Sequence, residues 1–190
     1  MLFRSKAAGT LERRAYAQFQ LRRLPGEVIL DVLNQATGAQ EKYPANWMLR
    51  EGERAVLSAG IMVDVYTFYN ISDPFRYLIF GRQVRRTNVQ CDCEQGNDVA
   101  LPQLLFLANH DEVRGKIGAD GGRVAQLACD DRLTDEQRLE ELFLSALGRL
   151  PGAEESKAGL EHLKSADSLR KGLEEVLWSL VNTREFQVNY

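Results

Sequence analysis

Residues 134–148 decide the fold, and they read TDEQRLEELFLSALG. Thr134 and Gln137 have the spacing of a capping box, in which the two side chains satisfy backbone N–H groups that the first helical turn leaves unpaired. Gly148 and Pro151 are typical stop signals. Between them, apolar residues recur at the period of one helix face, at Leu139, Leu142, Phe143, Ala146 and Leu147. The stretch predicts an amphipathic helix whose apolar face needs a partner.

Two further amphipathic helices follow toward the C-terminus. The first runs from Ala153 to Lys164 and directs Leu160 and Leu163 inward. The final helix is marked by an apolar stripe formed by Leu169, Leu173, Val176, Leu177, Leu180 and Val181. Because the connections are short, we expect these helices to pack as antiparallel neighbours.

Shorter helical segments precede residue 134. Pro25 begins a helix that Gly38 ends, and its apolar face consists of Val28, Ile29, Val32 and Leu33. Pro102 begins an apolar helix, and Asn109-His110-Asp111 forms a break that caps a second segment ending near Ile117. Asp120-Gly121-Gly122 is predicted to be a turn before a short helix over Val124, Leu127 and Ala128.

The middle region has a less regular pattern. The alternation of Ile61, Val63 and Val65 indicates a short strand, a hairpin or an extended arm, and Ser72-Asp73-Pro74 begins another helix, which Gly81 ends. The predicted fold class is therefore mainly α, an irregular multi-helix bundle of short helices with an extended N-terminal arm and a short strand or hairpin in the middle region.

The domain organisation is predicted to be simple. Residues 13–190 are expected to form a single helical domain, a C-terminal fragment of a larger protein, and residues 1–12 to be disordered or artefactual. No run of 18 apolar residues is present, and arginines interrupt the first 25 residues, so this fragment shows neither a transmembrane helix nor a signal peptide. The formal net charge is −3. We expect no nucleic-acid partner and no membrane insertion.

Several segments together resemble a known family. They are Arg22–Val28, Phe80-Gly81-Arg82, Cys91-Asp92-Cys93-Glu94, Leu107–His110, Leu144–Pro151 and Trp178–Phe186. In this order they are similar to a planctomycete-specific C-terminal domain of unknown function, found in large proteins with cytochrome-c-like domains upstream. The resemblance covers residues 13–190. Two positions depart from the family pattern: Gln83 replaces a proline, and Gln95 replaces an arginine that an anion-binding role would need.

The resemblance implies a helical module that is exported, to the periplasm or beyond, together with its parent protein. Its expected partners are upstream domains of that protein, which carry haem in this kind of architecture. The chain itself has no Cys-x-x-Cys-His motif, so we expect no cofactor within it. The resemblance further implies that seven residues have structural roles: Arg82, Glu94, Asn109, Arg149, Asn182, Glu185 and Phe186.

Cys91 and Cys93 form the sharpest chemical feature. With His110 they supply the ligand types that zinc prefers, although one intervening residue is a poor spacing and Cys129 or His162 would have to converge from elsewhere. A strained Cys91–Cys93 disulfide that opens on reduction is a second reading. Two semi-buried thiols that hold a loop on the core are a third.

Arginines support two further predictions. Arg76, Arg82, Arg85 and Arg86 offer an anion patch, but pairing with Asp92, Glu94 and Asp98 is the simpler use. At the C-terminal end we expect a clasp in which Phe186 packs under the neighbouring helices. In this clasp Arg149 pairs with Glu185 or with helix C-terminal carbonyls.

No motif for catalysis is recognisable in the sequence. Nucleophile-elbow, zinc-protease and phosphate-loop patterns are missing, and the chain has two histidines. The sequence therefore favours an accessory or interaction module without independent catalysis. The alternatives are a redox or metal-bearing domain around Cys91, Cys93 and His110, and part of a polysaccharide-acting enzyme, which only the family setting suggests.

Overall fold

The computed structural model of the chain describes residues 22–24, 26–39 and 101–189. These residues form eight helices, which confirms the mainly α fold class. The helices are α1 (Gly26–Thr37), α2 (Leu101–Asn109), α3 (Asp111–Ile117), α4 (Arg123–Cys129), α5 (Asp135–Leu147), α6 (Ala153–Ser165), α7 (Leu169–Val181) and α8 (Arg184–Gln187). Two-residue strands β1 (Arg22–Arg23) and β2 (Val188–Asn189) complete the described elements.

Helix α5 forms as residues 134–148 predict. The Thr134 hydroxyl accepts from the Gln137 backbone N–H at 3.3 Å, and the Gln137 side-chain Oε1 accepts from the Thr134 backbone N–H at 2.9 Å. At the other end Gly148 has φ of 68°, a left-handed conformation that glycine adopts without steric cost, and its N–H donates to the Leu144 carbonyl. Both ends of the helix are therefore fixed by local sequence.

The other sequence-predicted helices among the described residues are also present. Gly38 ends α1 with φ of 67°, His110 separates α2 from α3, and the Asp120–Gly122 turn precedes α4. The break after α7 was missed in the sequence. There Thr183 accepts from the Phe186 N–H at 3.3 Å and begins the short helix α8.

Helix α7 occupies the centre of the described fold and packs against α1, α3, α4, α5, α6 and α8. Its apolar stripe is enclosed as predicted: Leu173, Leu177 and Val181 are fully buried. The core around it includes Ile29, Leu30 and Leu33 of α1, Phe106 and Leu107 of α2, Val113 and Ile117 of α3, Val124 and Leu127 of α4, Leu139, Leu142 and Phe143 of α5, and Phe186 of α8. One shared apolar interior thus connects the helices.

The two described ends of the chain meet. Strands β1 and β2 are antiparallel, with Arg22 opposite Asn189 and Arg23 opposite Val188. The Leu24 N–H extends the pairing by donating to the Gln187 carbonyl at 3.0 Å. This pairing was not predicted, because two residues are too few to show a strand pattern in the sequence.

Several sequence-based expectations fall outside the described residues. They are the N-terminal segment 1–12, the arm that follows it, the strand or hairpin around residues 61–65 and the helix that begins near Ser72. For these parts of the chain the expectations stay predictions.

Helices α5 and α6 approach closely where Gly159 faces Leu139. A Cβ atom on residue 159 would lie 2.7 Å from Leu139 Cδ2 and 2.8 Å from its Cδ1, and Leu139 is fully buried. No such crowding exists at Gly115 in α3, where a Cβ would meet nothing within 4 Å. Gly159 and Gly115 are therefore a matched pair for substitution by alanine, one in a crowded helix contact and one in open space.

We predict that Gly159→Ala lowers the free energy of unfolding by about 1–2 kcal/mol, because overpacking of a buried contact outweighs the higher helix propensity of alanine. Gly115→Ala should raise it by about 0.5–1 kcal/mol. Urea denaturation of both variants measures the difference. Equal changes in the two variants would show that α5 and α6 do not pack through Gly159.

Candidate functional site

The sequence-predicted site residues divide between the described and the undescribed parts of the chain. Cys91, Cys93, Arg82 and Glu94 lie outside the described residues, as do the other arginines of the proposed anion patch. The structure places the remaining ones in two groups. The first group consists of Arg149, Glu185 and Phe186, and Asn182 lies close by in sequence, at the end of α7. The second group is Asn109 and His110 at the junction between α2 and α3.

Arg149 forms the centre of a clasp between α5, α6 and α8. Its Nε and Nη2 atoms donate to the two carboxylate oxygens of Glu185 at 2.7 and 2.8 Å. Nη1 and Nη2 donate to Glu155 at 2.7 and 2.8 Å, and Nη1 also donates to the Leu150 carbonyl at 3.1 Å. Of the two kinds of partner considered from the sequence, Arg149 contacts the Glu185 carboxylate. The second carboxylate, Glu155, was missed.

An aromatic layer lies beneath the clasp. The guanidinium carbon of Arg149 is 5.5 Å from the centre of the Phe143 ring, within the range of a cation–π contact. Phe186 is 2% exposed and belongs to the shared core. Since both carboxylates and a ring surround Arg149, its donors are used within the fold.

Asn182 and Trp178 finish α7 and connect it to α2. The Asn182 amide donates from Nδ2 to the Trp178 carbonyl at 2.8 Å, and the same oxygen accepts from the Asn182 backbone N–H at 3.2 Å. The Trp178 indole N–H donates to the Ala108 carbonyl at 3.1 Å, one residue before Asn109 at the end of α2. The Leu107–His110 and Trp178–Phe186 segments, quoted above for the family resemblance, are therefore in contact.

Three further arginines serve helix C-termini, a role that the sequence did not reveal. Arg123 donates to the Gln35 and Ala36 carbonyls at 3.1 Å, at the end of α1. Arg138 is 7% exposed and donates to the Leu127 and Asp130 carbonyls at 3.0 and 2.7 Å, at the end of α4. Arg170 donates to the Gly118 carbonyl at 2.7 Å, just after α3. The only signal in the sequence is the type of residue, since the spacing to each partner depends on the tertiary fold.

His110 works as the N-cap of α3. Its Nδ1 atom accepts from the Glu112 N–H at 3.3 Å, and its ring stacks on Phe106 with centroids 4.2 Å apart. Cys129, another candidate ligand, is a free and exposed thiol. His162 places Nε2 2.8 Å from a Glu175 carboxylate oxygen, with an alignment too poor for a good hydrogen bond. Within residues 22–24, 26–39 and 101–189, no three potential ligands cluster around a common point.

Large apolar side chains are exposed in two places on the described surface. Leu104 and Leu105 are 41% and 51% exposed on α2, and Trp178, whose indole N–H contacts Ala108 of the same helix, is 39% exposed. Leu144 is exposed in the last turn of α5, and Leu150 is exposed just after that helix. We call Leu104, Leu105 and Trp178 the α2 surface. None of the described helices is long and apolar enough to cross a membrane.

Comparisons of the chain with family models, with curated proteins and with solved structures gave no match. A function for this chain therefore has to be inferred from the surface and contacts of the described residues and from the resemblance of its sequence segments.

The arginine clasp makes folding stability depend on pH. Hydrogen bonds from Arg149 and from the Gly152 N–H lower the pKa of Glu155 from 4.5 to about 2. A carboxylate whose folded-state pKa is lowered stabilises the fold above its unfolded pKa. This contribution is lost as the pH falls from about 4.5 to about 2.

We predict that Glu155→Gln is less stable than the unmodified chain at neutral pH and that the difference vanishes by about pH 2. The Glu155 side chain is 42% exposed. Solvent therefore screens the pair, and the expected difference is about 1 kcal/mol or less. Urea denaturation as a function of pH measures it, with the exposed Glu154→Gln as the matched control. A difference that stays constant down to pH 2 would contradict the clasp.

Proposed function

We propose that this chain is a helical accessory and interaction module, the C-terminal domain of a larger exported protein of planctomycete type. It binds upstream domains of the same protein and has no catalysis of its own. The observation that carries the proposal is the α2 surface, where large apolar side chains are exposed on a helix that is already anchored in the core.

Helix α2 is apolar on opposite sides. Phe106 and Leu107 are buried in the shared core, at 4% and 1% exposure, while Leu104 and Leu105 face outward. Exposed leucine side chains forfeit the free energy of burial, so a helix that is apolar on two opposite sides is normally covered on both. The outer side of α2 therefore favours a partner that supplies a second apolar layer.

Trp178 extends this surface onto α7. Its indole N–H is held by the Ala108 carbonyl, so the ring is fixed in place although 39% of the residue is exposed. A rigid, half-exposed tryptophan beside two leucines has the composition of an interface centre, since aromatic anchors contribute much of the binding energy there.

The resemblance supports the identity of the partner. In the proteins it points to, cytochrome-c-like domains lie upstream of the C-terminal domain, so an upstream domain is tethered to this module at high effective concentration. A tethered partner needs only a small apolar contact.

We predict that Leu105→Ser weakens binding to the purified upstream part of the parent protein about tenfold or more, as is typical for the loss of an apolar interface anchor. Isothermal titration calorimetry measures the dissociation constant. Leu150→Ser, on the other exposed apolar site, is the matched control and should bind normally. Both variants should keep their melting temperature within a few degrees, because exposed substitutions rarely change stability by more than about 0.5 kcal/mol.

Measurements on the same Leu105→Ser variant would reveal two other occupants of the α2 surface. A strong fall in the melting temperature of Leu105→Ser would mean that this chain covers the surface itself. A dimer in sedimentation equilibrium that Leu105→Ser dissociates would mean that a second copy does. Either result, or equal binding by both variants, would contradict the proposal.

A further inference from the structure

The junction between α2 and α3 is closed by the imidazole of His110. The backbone turns there with φ of −71° and ψ of 135° at His110, and its N–H donates to the Phe106 carbonyl at 2.9 Å. The ring then returns to α3 and accepts from the Glu112 N–H through Nδ1. One residue thus ends α2 through its backbone N–H and begins α3 through its side chain.

The hydrogen bond indicates which nitrogen of the neutral His110 ring carries the proton. An atom that accepts from a backbone N–H must present a lone pair, so Nδ1 carries no proton, and the proton of the neutral imidazole is on Nε2. Stacking on Phe106, a core residue at 4% exposure, holds the ring in the plane that this hydrogen bond needs.

We infer that His110 is a structural cap in its Nε2–H tautomer, and that capping and metal ligation by this residue exclude each other. A metal bound at Nδ1 would occupy the place of the Glu112 N–H. A metal bound at Nε2 of a neutral imidazole would move the proton to Nδ1, where it would face the Glu112 N–H as a second donor. Both modes of ligation release the cap and open the first turn of α3.

The hydrogen bond of His110 differs from that of a histidine that binds zinc. A histidine in a metal site normally has its second nitrogen donating to a carbonyl or carboxylate, which fixes the tautomer that leaves the other nitrogen free. The contact at His110 is the reverse, since Nδ1 accepts. This residue is therefore arranged as a helix cap, whatever ligands other parts of the chain provide.

The tautomer is measured directly by nuclear magnetic resonance of the full chain, with nitrogen-15 in its histidines and in a buffer that keeps them neutral. The spectrum should show the Nε2–H form at His110. In His110→Ala the Glu112 amide should exchange with solvent roughly three- to thirtyfold faster, the usual effect of losing a cap. In His110→Asn it should stay slow, since asparagine is a preferred N-cap. An Nδ1–H ring, or equal exchange in both variants, would overturn the inference.

Added zinc tests whether capping and metal ligation by His110 exclude each other. His162 is the internal reference, because its ring caps no helix. Either the His110 ring stays unligated at zinc concentrations that ligate His162, or its ligation is accompanied by faster exchange of the Glu112 amide. Both results agree with exclusion. A ligated His110 ring with an unchanged Glu112 amide would overturn it. The outcome is independent of the α2 surface, so the proposed function is tested separately.

Discussion

Enclosure of the apolar face of α7 is the constraint on which the described structure depends. Five apolar side chains of this helix are buried, and each contributes about 1.5–3 kcal/mol when it leaves water. No single neighbour is wide enough to cover them. Helices α1, α3, α4, α5, α6 and α8 therefore pack around α7.

Short helices packed around a central one have many C-termini, and each C-terminus leaves backbone carbonyl oxygens without a partner inside its own helix. The fold supplies partners with side chains from later helices. Arg123 serves α1, Trp178 serves α2, Arg170 serves α3 and Arg138 serves α4. The three arginines are thereby used for helix ends and for ion pairs within the fold, while Leu104, Leu105, Leu144 and Leu150 stay exposed.

The sequence predicted what local physics controls. The capping box at Thr134, the glycine ends at Gly38 and Gly148, and the break at His110 depend on residues within one turn of each other, and all are present. Contacts between segments that are distant in the sequence were harder to predict. The pairing of Arg149 with Glu185 was proposed as one of two options, whereas Glu155, the arginine caps and the strand pair β1–β2 were missed because each joins elements whose relative placement only the packed core determines. The Cys91–Cys93 loop lies outside the described residues, and its chemistry stays a prediction.

The central role of α7 is tested most directly by native-state hydrogen exchange of the full chain. Amides of a helix surrounded by the core exchange only when the whole domain unfolds, while those of peripheral elements exchange through local opening. We expect the amides of Leu177 and Leu180 to be the slowest in the described part of the chain, together with those of α5, and the amides of α3 to exchange faster. Exchange of α7 at the rate of α3, or earlier, would contradict the account.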